Sequence, residues 1–414
     1  MNSDARKSRF VQDPRESDAD QVDPLADLSV IYFGNDWFAE NRTSSHHIAR
    51  QVAQEMPLLY IDTPGMRSPR MRIRDLRKVF RIMRAWLANP EQLGQQFWHL
   101  TVPQFPLRRI PLVQKLNRII GRWSVRRAVR FLNFGRRLSW FTVPHPAEMA
   151  GTVGDEFIVY YAVDDYAALA QVDRDRIRQF DDVLTSRADL VFVTSQSLFD
   201  EKRSLNRNLN YSPHGVDFEL FCKAEDPDTP VPDGARGLRR PVIGYYGSIA
   251  GQMDLELVAY LAGQRSNWTF LLIGLVSVDP AILRGLPNIH LVGPQPYQSL
   301  PGWAKAFDVA IVPYRRDRFV LRSNPLKIRE YLATGKPVVS IRTPEIERFA
   351  EFILLADSNE EFLHKIDQAL TGDSSELRQA RMNSVRNCSW EARAESALRR
   401  VRRALTDRCS QDAR

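Results

Sequence analysis

The chain has 414 residues, 43% of them apolar and 26% charged, and a net charge of +8 at neutral pH. That composition is one of a folded globular protein with room for two domains of ordinary size. No apolar run approaches the ~20 residues of a membrane span, and Cys222, Cys388 and Cys409 are isolated, which argues for a reducing compartment and against a structural zinc site.

Residues 1–27 are polar and charged without an apolar signal core, and are expected to be a disordered lead-in. Leu28–Phe33 reads as a buried strand ending at Gly34. A helical pattern follows over His46–Met56, and Pro57–Ile61 is the next strand. Strand, glycine turn, helix and strand make a βαβ unit, hence a parallel sheet.

Between Met66 and Arg137 lie eighteen cations and two acids, Asp75 and Glu91. Such density calls for a polyanionic surface. Leu76, Val79, Phe80, Met83 and Leu87 recur at helical spacing among Arg72, Arg74, Arg77, Lys78, Arg81 and Arg84. Leu116, Ile119, Ile120 and Trp123 do the same among Lys115, Arg118, Arg122, Arg126 and Arg127. An apolar stripe beside an arginine-rich face suits a helix lying on an anionic membrane surface. Nucleic acid is not expected, because regular aromatic interleaving is missing.

Strands resume at Leu138–Val143, Phe157–Val163 and Leu190–Thr194, with a helix over Asp173–Arg187. These complete an N-terminal domain over 28–223, with 66–137 as its basic insertion. Residues 224–240, rich in Asp, Pro and Gly, read as a linker. A second α/β block spans 241–387, with strands at Val242–Tyr246, Thr269–Ile273, Ile289–Val292, Val309–Val312 and Val338–Ile341. A closing helix near Trp390–Leu405 lies within 388–407. The expected fold class is α/β: two doubly wound domains with a ligand cleft at the carboxyl ends of both sheets.

The most informative run is Ser323–Ser340, SNPLKIREYLATGKPVVS. Asn324 reads as an N-cap and Pro325 as the first helical residue, whose missing N–H costs nothing there. Gly335 supplies a left-handed stop and Pro337 blocks continuation. Ile328 and Leu332 mark the packed face, with Glu330 roughly opposite.

This run resembles the nucleotide-sugar site of GT-B glycosyltransferases, in which a Glu before A-x-G-K-P-V-V accepts hydrogen bonds from the donor ribose. Other segments resemble the same family in the same order: ADLVFVTS (Ala188–Ser195), SPHGVD (Ser212–Asp217), IGYYGS (Ile243–Ser248), FDVAIVPY (Phe307–Tyr314) and SWE (Ser389–Glu391). Together they cover almost the whole chain, and the pattern is similar to bacterial group 1, teichuronic-acid-type cell-surface polysaccharide enzymes.

The resemblance implies a donor site at Gly247, Ser248, Tyr297, Arg322, Ser323, Asn324, Leu326, Lys327 and Glu330. It implies an acceptor pocket around Gly34, Asn35, His46 and His47. Asp164 or Asp165, at the end of a strand where many relatives carry a His, is the expected general base; a carboxylate there also suits a helix N-cap. The sequence departs from the family pattern twice. Ser248, Ile249, Ala250 and Gly251 replace the usual Arg–Lys pair after the glycine turn, so the phosphate charge falls to Arg315, Arg316, Arg318, Arg322 and Lys327. Arg322 also stands where retaining members carry the first of two glutamates.

The expected activity is transfer of a sugar from a nucleotide diphosphate to a hydroxyl of a lipid-linked or cell-surface glycan, at the inner face of the cell membrane. No cofactor or metal is expected beyond the nucleotide-sugar substrate. Adjacent His46 and His47 diverge by ~100° on a helix and cannot share one ion. The D-x-D strings Asp173–Asp175 and Asp226–Asp228 sit in a charged helix and the linker. The alternatives are a sugar-nucleotide epimerase and a non-catalytic membrane-binding protein on the same fold.

Overall fold

The computed structural model describes residues 23–39, 42–63, 89–102, 105, 110–169 and 172–412. The first apolar stripe of the basic segment, Leu76 to Leu87, lies outside the described residues, as does most of the lead-in.

Among the described residues the N-terminal sheet has eight strands: β1 (Leu28–Gly34), β2 (Leu58–Asp62), β3 (Glu91–Gly94), β4 (Phe97–Thr101), β5 (Arg136–Phe141), β6 (Phe157–Ala162), β7 (Leu190–Val193) and β8 (Leu209–Tyr211). Their order is β3-β4-β2-β1-β5-β6-β7-β8. All pairs are parallel except β3–β4. β1, β2 and β7 are buried throughout, which is why they read as unbroken apolar runs. The edge hairpin β3–β4 inside the basic segment escaped sequence reading, because β3 is EQLG and largely exposed.

The C-terminal sheet is wholly parallel: β9 (Val242–Tyr246), β10 (Thr269–Ile273), β11 (Ile289–Gly293), β12 (Val309–Val312), β13 (Val338–Ile341) and β14 (Leu354–Ala356), ordered β11-β10-β9-β12-β13-β14. In each sheet the chain builds outward one way and then returns to build the other way. The reversal falls between β1 and β5 in the first sheet, and between β9 and β12 in the second. Ligand crevices form at such switch points. Gly34 and Gly247, each at or just past the end of a first strand, therefore stand at the two places where topology opens a site.

The chain crosses between domains at Ser212–Asp217. There Val216 N donates to Cys388 O at 2.9 Å beside the returning chain, and Gly215 lies against Trp390 too closely for a Cβ. The segment expected as a linker instead runs along the second domain, where Ala224 and Ala235 join its core. The closing helix, Trp390–Asp412, returns to the first domain and buries Trp390, Ala394, Ala397, Leu398, Val401 and Leu405 in its core. Among the described residues no helix is long and apolar enough to cross a membrane.

Candidate active site

The donor helix forms over Leu326–Ala333. Its N-cap is Pro325 and not Asn324, and Gly335 follows its end at φ 73°. Ile328, Tyr331 and Leu332 face the core as their spacing requires. Tyr331 then locks the helix to the end of β9: its hydroxyl oxygen accepts from Tyr246 N at 2.9 Å. That bond fixes the opposite face of the helix, with Lys327 and Glu330, beside the turn after β9.

Gly247 in that turn has φ 137°, and Gly274, at φ 145°, lies against its carbonyl too closely for a side chain. Lys327's methylene and ammonium occupy the space where a Cβ on Gly247 would sit. The ammonium also lies 6.0 Å from the Tyr245 ring centroid. Glu330 is half-buried, with no hydrogen bond or ion pair to its carboxylate among the described residues. Burial raises its pKa, Lys327 opposes the rise, and Asp217 adds to it. The Tyr297 hydroxyl is also pushed up, first by burial and then by the charge of Glu330. Ser248, in the same turn, is half-buried and its carbonyl accepts from the Tyr245 hydroxyl at 3.0 Å.

The acceptor-side residues divide. Gly34 is demanded by packing, since a Cβ would collide with the Tyr60 hydroxyl and Ser45. The Asn35 side chain bonds the Tyr166 hydroxyl, and its carbonyl accepts from Tyr60 at 2.7 Å. His46, expected in the acceptor pocket, is buried with both ring nitrogens engaged. Thr43 N donates to Nδ1 at 3.0 Å, so Nε2 carries the proton and donates to Asp36 O at 2.9 Å. It closes a capping box on its helix. His47 is half-buried between the domains, stacked on Trp390 at 4.7 Å and 5.6 Å from the Tyr297 ring. Burial, followed by Arg50, pushes its pKa down to about 3, so it is neutral at physiological pH.

Asp164 and Asp165, adjacent in sequence, have separate surroundings. Asp165 precedes the short helix Tyr166–Ala168 without capping it by its side chain. Its carboxylate instead meets Arg322 at 2.8 Å and Arg318 at 3.6 Å. Arg322 reaches on to Glu201. Asp164 has no such partner among the described residues. Burial, and then the charge of Asp165, push its pKa up to about 7.

The basic loop is accordingly not one phosphate-binding cluster. Arg316 pairs with Asp357 at 2.7 Å. Arg318 and Arg322 face Asp165. Lys327 lies at the glycine turn. Ser323 and Asn324, expected to bind donor, are also committed. Ser323 Oγ donates to Val320 O at 3.0 Å, and Asn324 Nδ2 donates to Thr194 O and Glu345 Oε2, both at 2.8 Å. Glu345 additionally accepts from Gln196 N at 2.7 Å and Tyr211 Oη at 2.8 Å, while Arg329 Nη1 donates to Asn324 Oδ1 at 2.5 Å. Leu326 packs on the core of the first domain. Sequence reasoning missed this clasp of Glu201, Glu345, Arg329 and Tyr211, since no local motif announces a pair formed between domains.

Residues 240–372 match the family described as Glycosyl transferases group 1. The chain is 26% identical over 273 residues to the Bacillus subtilis (strain 168) protein named as teichuronic acid biosynthesis glycosyltransferase TuaH, covering 61% of this chain and 68% of that one. Among solved structures it is similar to sucrose-phosphate synthase from Thermosynechococcus elongatus, with TM-score 0.66, 15% identity, and 92% of this chain and 100% of the other covered. It is also similar to Anabaena HepE in complex with UDP and glucose, with TM-score 0.64, 12% identity, and 90% and 99% covered. The likeness to solved structures fixes the fold as GT-B, and the family match falls on the half that holds Gly247, Lys327 and Glu330. The chain is a glycosyltransferase of GT-B fold, and its C-terminal domain is similar to group 1 glycosyltransferases over residues 240–372.

Proposed function

We propose that the protein transfers a sugar from a nucleotide diphosphate to a hydroxyl of a lipid-linked or cell-surface glycan, at an anionic membrane surface. The observation that carries the donor assignment is the Lys327 ammonium over Gly247, next to an unpaired Glu330 carboxylate. A cation over an open glycine turn suits a diphosphate, and a carboxylate without protein donors suits the two hydroxyls of a ribose. The Anabaena neighbour was solved with UDP and glucose, and the Bacillus relative is named for an acidic cell-surface polymer; both support the reading.

On the acceptor side Asp164 takes the role of base. It removes the proton of the acceptor hydroxyl as that oxygen bonds to the anomeric carbon. The bond from that carbon to the diphosphate oxygen breaks, and Lys327 balances the charge left on the leaving group. Direct displacement of this kind inverts the sugar configuration, in keeping with Arg322, which pairs with Asp165 and Glu201, standing where retaining members carry the first of their two glutamates. A base with its pKa near 7 matches proton abstraction at physiological pH.

The test is a thermal-shift screen of nucleotide sugars, in which a ligand at 100 times its dissociation constant adds about 2.7 kcal/mol of stability. Calorimetry on Glu330→Gln with the best hit follows. A hit whose affinity does not change in that variant would remove the donor assignment, and conversion of the donor to its epimer without any acceptor would favour an epimerase.

A further inference from the structure

The helix Pro111–Phe131 carries six cations, Lys115, Arg118, Arg122, Arg126, Arg127 and Arg130, and no acid. In water a helix turns its apolar stripe to the core, and part of this one does so: Ile120, Val125, Ala128 and Val129 are buried. A second stripe faces outward. Leu112 is 74% exposed, Leu116 42%, Ile119 56% and Trp123 46%. Their spacing of four, three and four residues places them on one line along the helix. Ile120, read from sequence as part of this stripe, belongs to the core instead.

Isolated exposed apolar residues need no explanation, but four in a row on one helix, continued by Ile110 before it, mark an interaction surface. The charges flanking the stripe decide what it meets. Lys115 and Arg130 are exposed beside it. Arg118 spends its charge on Glu148, whereas Arg122 and Arg126 donate to the backbone oxygens of Glu148 and Thr152 and Arg127 to Asn89. Neutral acceptors hold the guanidiniums of Arg122 and Arg126 in place without cancelling them. The face is thus apolar along its crest, with cations beside it, and is fixed to the first domain by its buried side. Those are the features of a helix that seats its apolar side in the headgroup boundary of an anionic bilayer.

Topology gives the face a direction. The helix leaves the carboxyl end of β4 and runs back antiparallel to β4 and β5, so its first turn, with Leu112, lies at the sheet end that carries Gly34 and Asp164.

We propose that Leu112, Leu116, Ile119 and Trp123, with the cations beside them, dock the protein on an anionic lipid surface and bring the mouth of the acceptor cleft to it. The part of this inference that concerns the acceptor cleft rests on the reading above; the docking itself does not.

The experiment is co-sedimentation of the full chain with phosphatidylcholine vesicles containing or lacking a quarter phosphatidylglycerol. Binding to the anionic vesicles is expected to exceed binding to the neutral ones at least ten-fold, and to fall steeply between 0.05 and 0.5 M salt. Each cation near an anionic leaflet strengthens binding by about five-fold, so Lys115→Gln with Arg130→Gln weakens it by about twenty-five-fold. Leu112→Gln with Ile119→Gln abolishes binding while the melting temperature and the affinity for nucleotide diphosphate stay as in the wild type, because both side chains are exposed. Wild-type protein that ignores anionic vesicles, or a double Gln variant that sediments with them equally, would overturn the proposal. So would a dimer in sedimentation velocity that the same variant disperses, which would assign the face to a second copy. Wild-type protein that docks on anionic vesicles but binds no nucleotide diphosphate would instead count against the donor site and leave the docking standing.

Discussion

Lys327 and Arg322 lie five residues apart in one basic stretch, yet their surroundings share nothing. Lys327 rests over a glycine turn with no carboxylate in ion-pair range among the described residues. Arg322 is clamped between Asp165 and Glu201 of the opposite domain. A charge that the protein has neutralised within itself holds the structure together, and a charge left unneutralised awaits a ligand. The same contrast separates Asp165, which faces the arginines, from Asp164, which has no cation in ion-pair range among the described residues and whose pKa burial pushes up to about 7. It also separates Glu345, with its three hydrogen-bond donors, from Glu330, which has none among the described residues.

The contrast can be broken most sharply at the two aspartates. Asp164→Asn should lower turnover by ~10²–10⁴ while leaving nucleotide diphosphate affinity intact, as single-turnover kinetics and calorimetry would report. In the wild type the rate should rise with pH through about 7 as Asp164 loses its proton. Full turnover in the Asn variant would place the base elsewhere.

At Arg322 the expected loss is one of stability. Arg322→Gln leaves a buried Asp165 without its nearest cation and should destabilise the fold by about 2–4 kcal/mol, less than a fully buried pair because Glu201 keeps contact with water. Denaturant unfolding measures it. Lys327→Gln should leave the midpoint unchanged, and equal destabilisation by the two variants would erase the distinction between them.

Glu330→Gln should cost ~1.5–3 kcal/mol of affinity for the nucleotide diphosphate, through loss of a charge-assisted acceptor, with the unfolding midpoint unmoved. Glu345→Gln, in contrast, should destabilise the fold before it touches affinity, because the lost acceptor is buried.

The smallest effect is a slope. Burial, and then the charge of Asp165, push the Asp164 carboxyl up to about 7 from its ordinary value of 3.8, so the folded state holds its proton more tightly than the unfolded chain does. Its contribution favours folding at pH below the unfolded value and is lost as pH rises from about 4 to about 7. Asp164→Asn should abolish that part of the slope in a pH series of melts and raise the melting temperature at pH 8 relative to the wild type. A variant whose pH series overlays the wild type's would show that Asp164 is not titrating in this window.

The sequence by itself determined what is local or periodic. The β9 strand and its glycine turn, the donor helix with Ile328 and Leu332 inward, and the Gly335 stop all follow from spacing and backbone chemistry within a few residues. Glu330 and Lys327 were legible with them, because a short helix pinned at both ends leaves few directions for its outer face. Tertiary structure alone decided which polar groups are already partnered. Tyr211 and Glu345 are 134 residues apart, and no pattern within either segment encodes their bond. The same holds for Asp165 and Arg322, and for the division of Ile119 from Ile120 between water and core. A charge or an apolar side chain acquires its role from what the fold sets against it, and that is fixed only when two sheets, read from distant parts of the chain, face each other across a cleft.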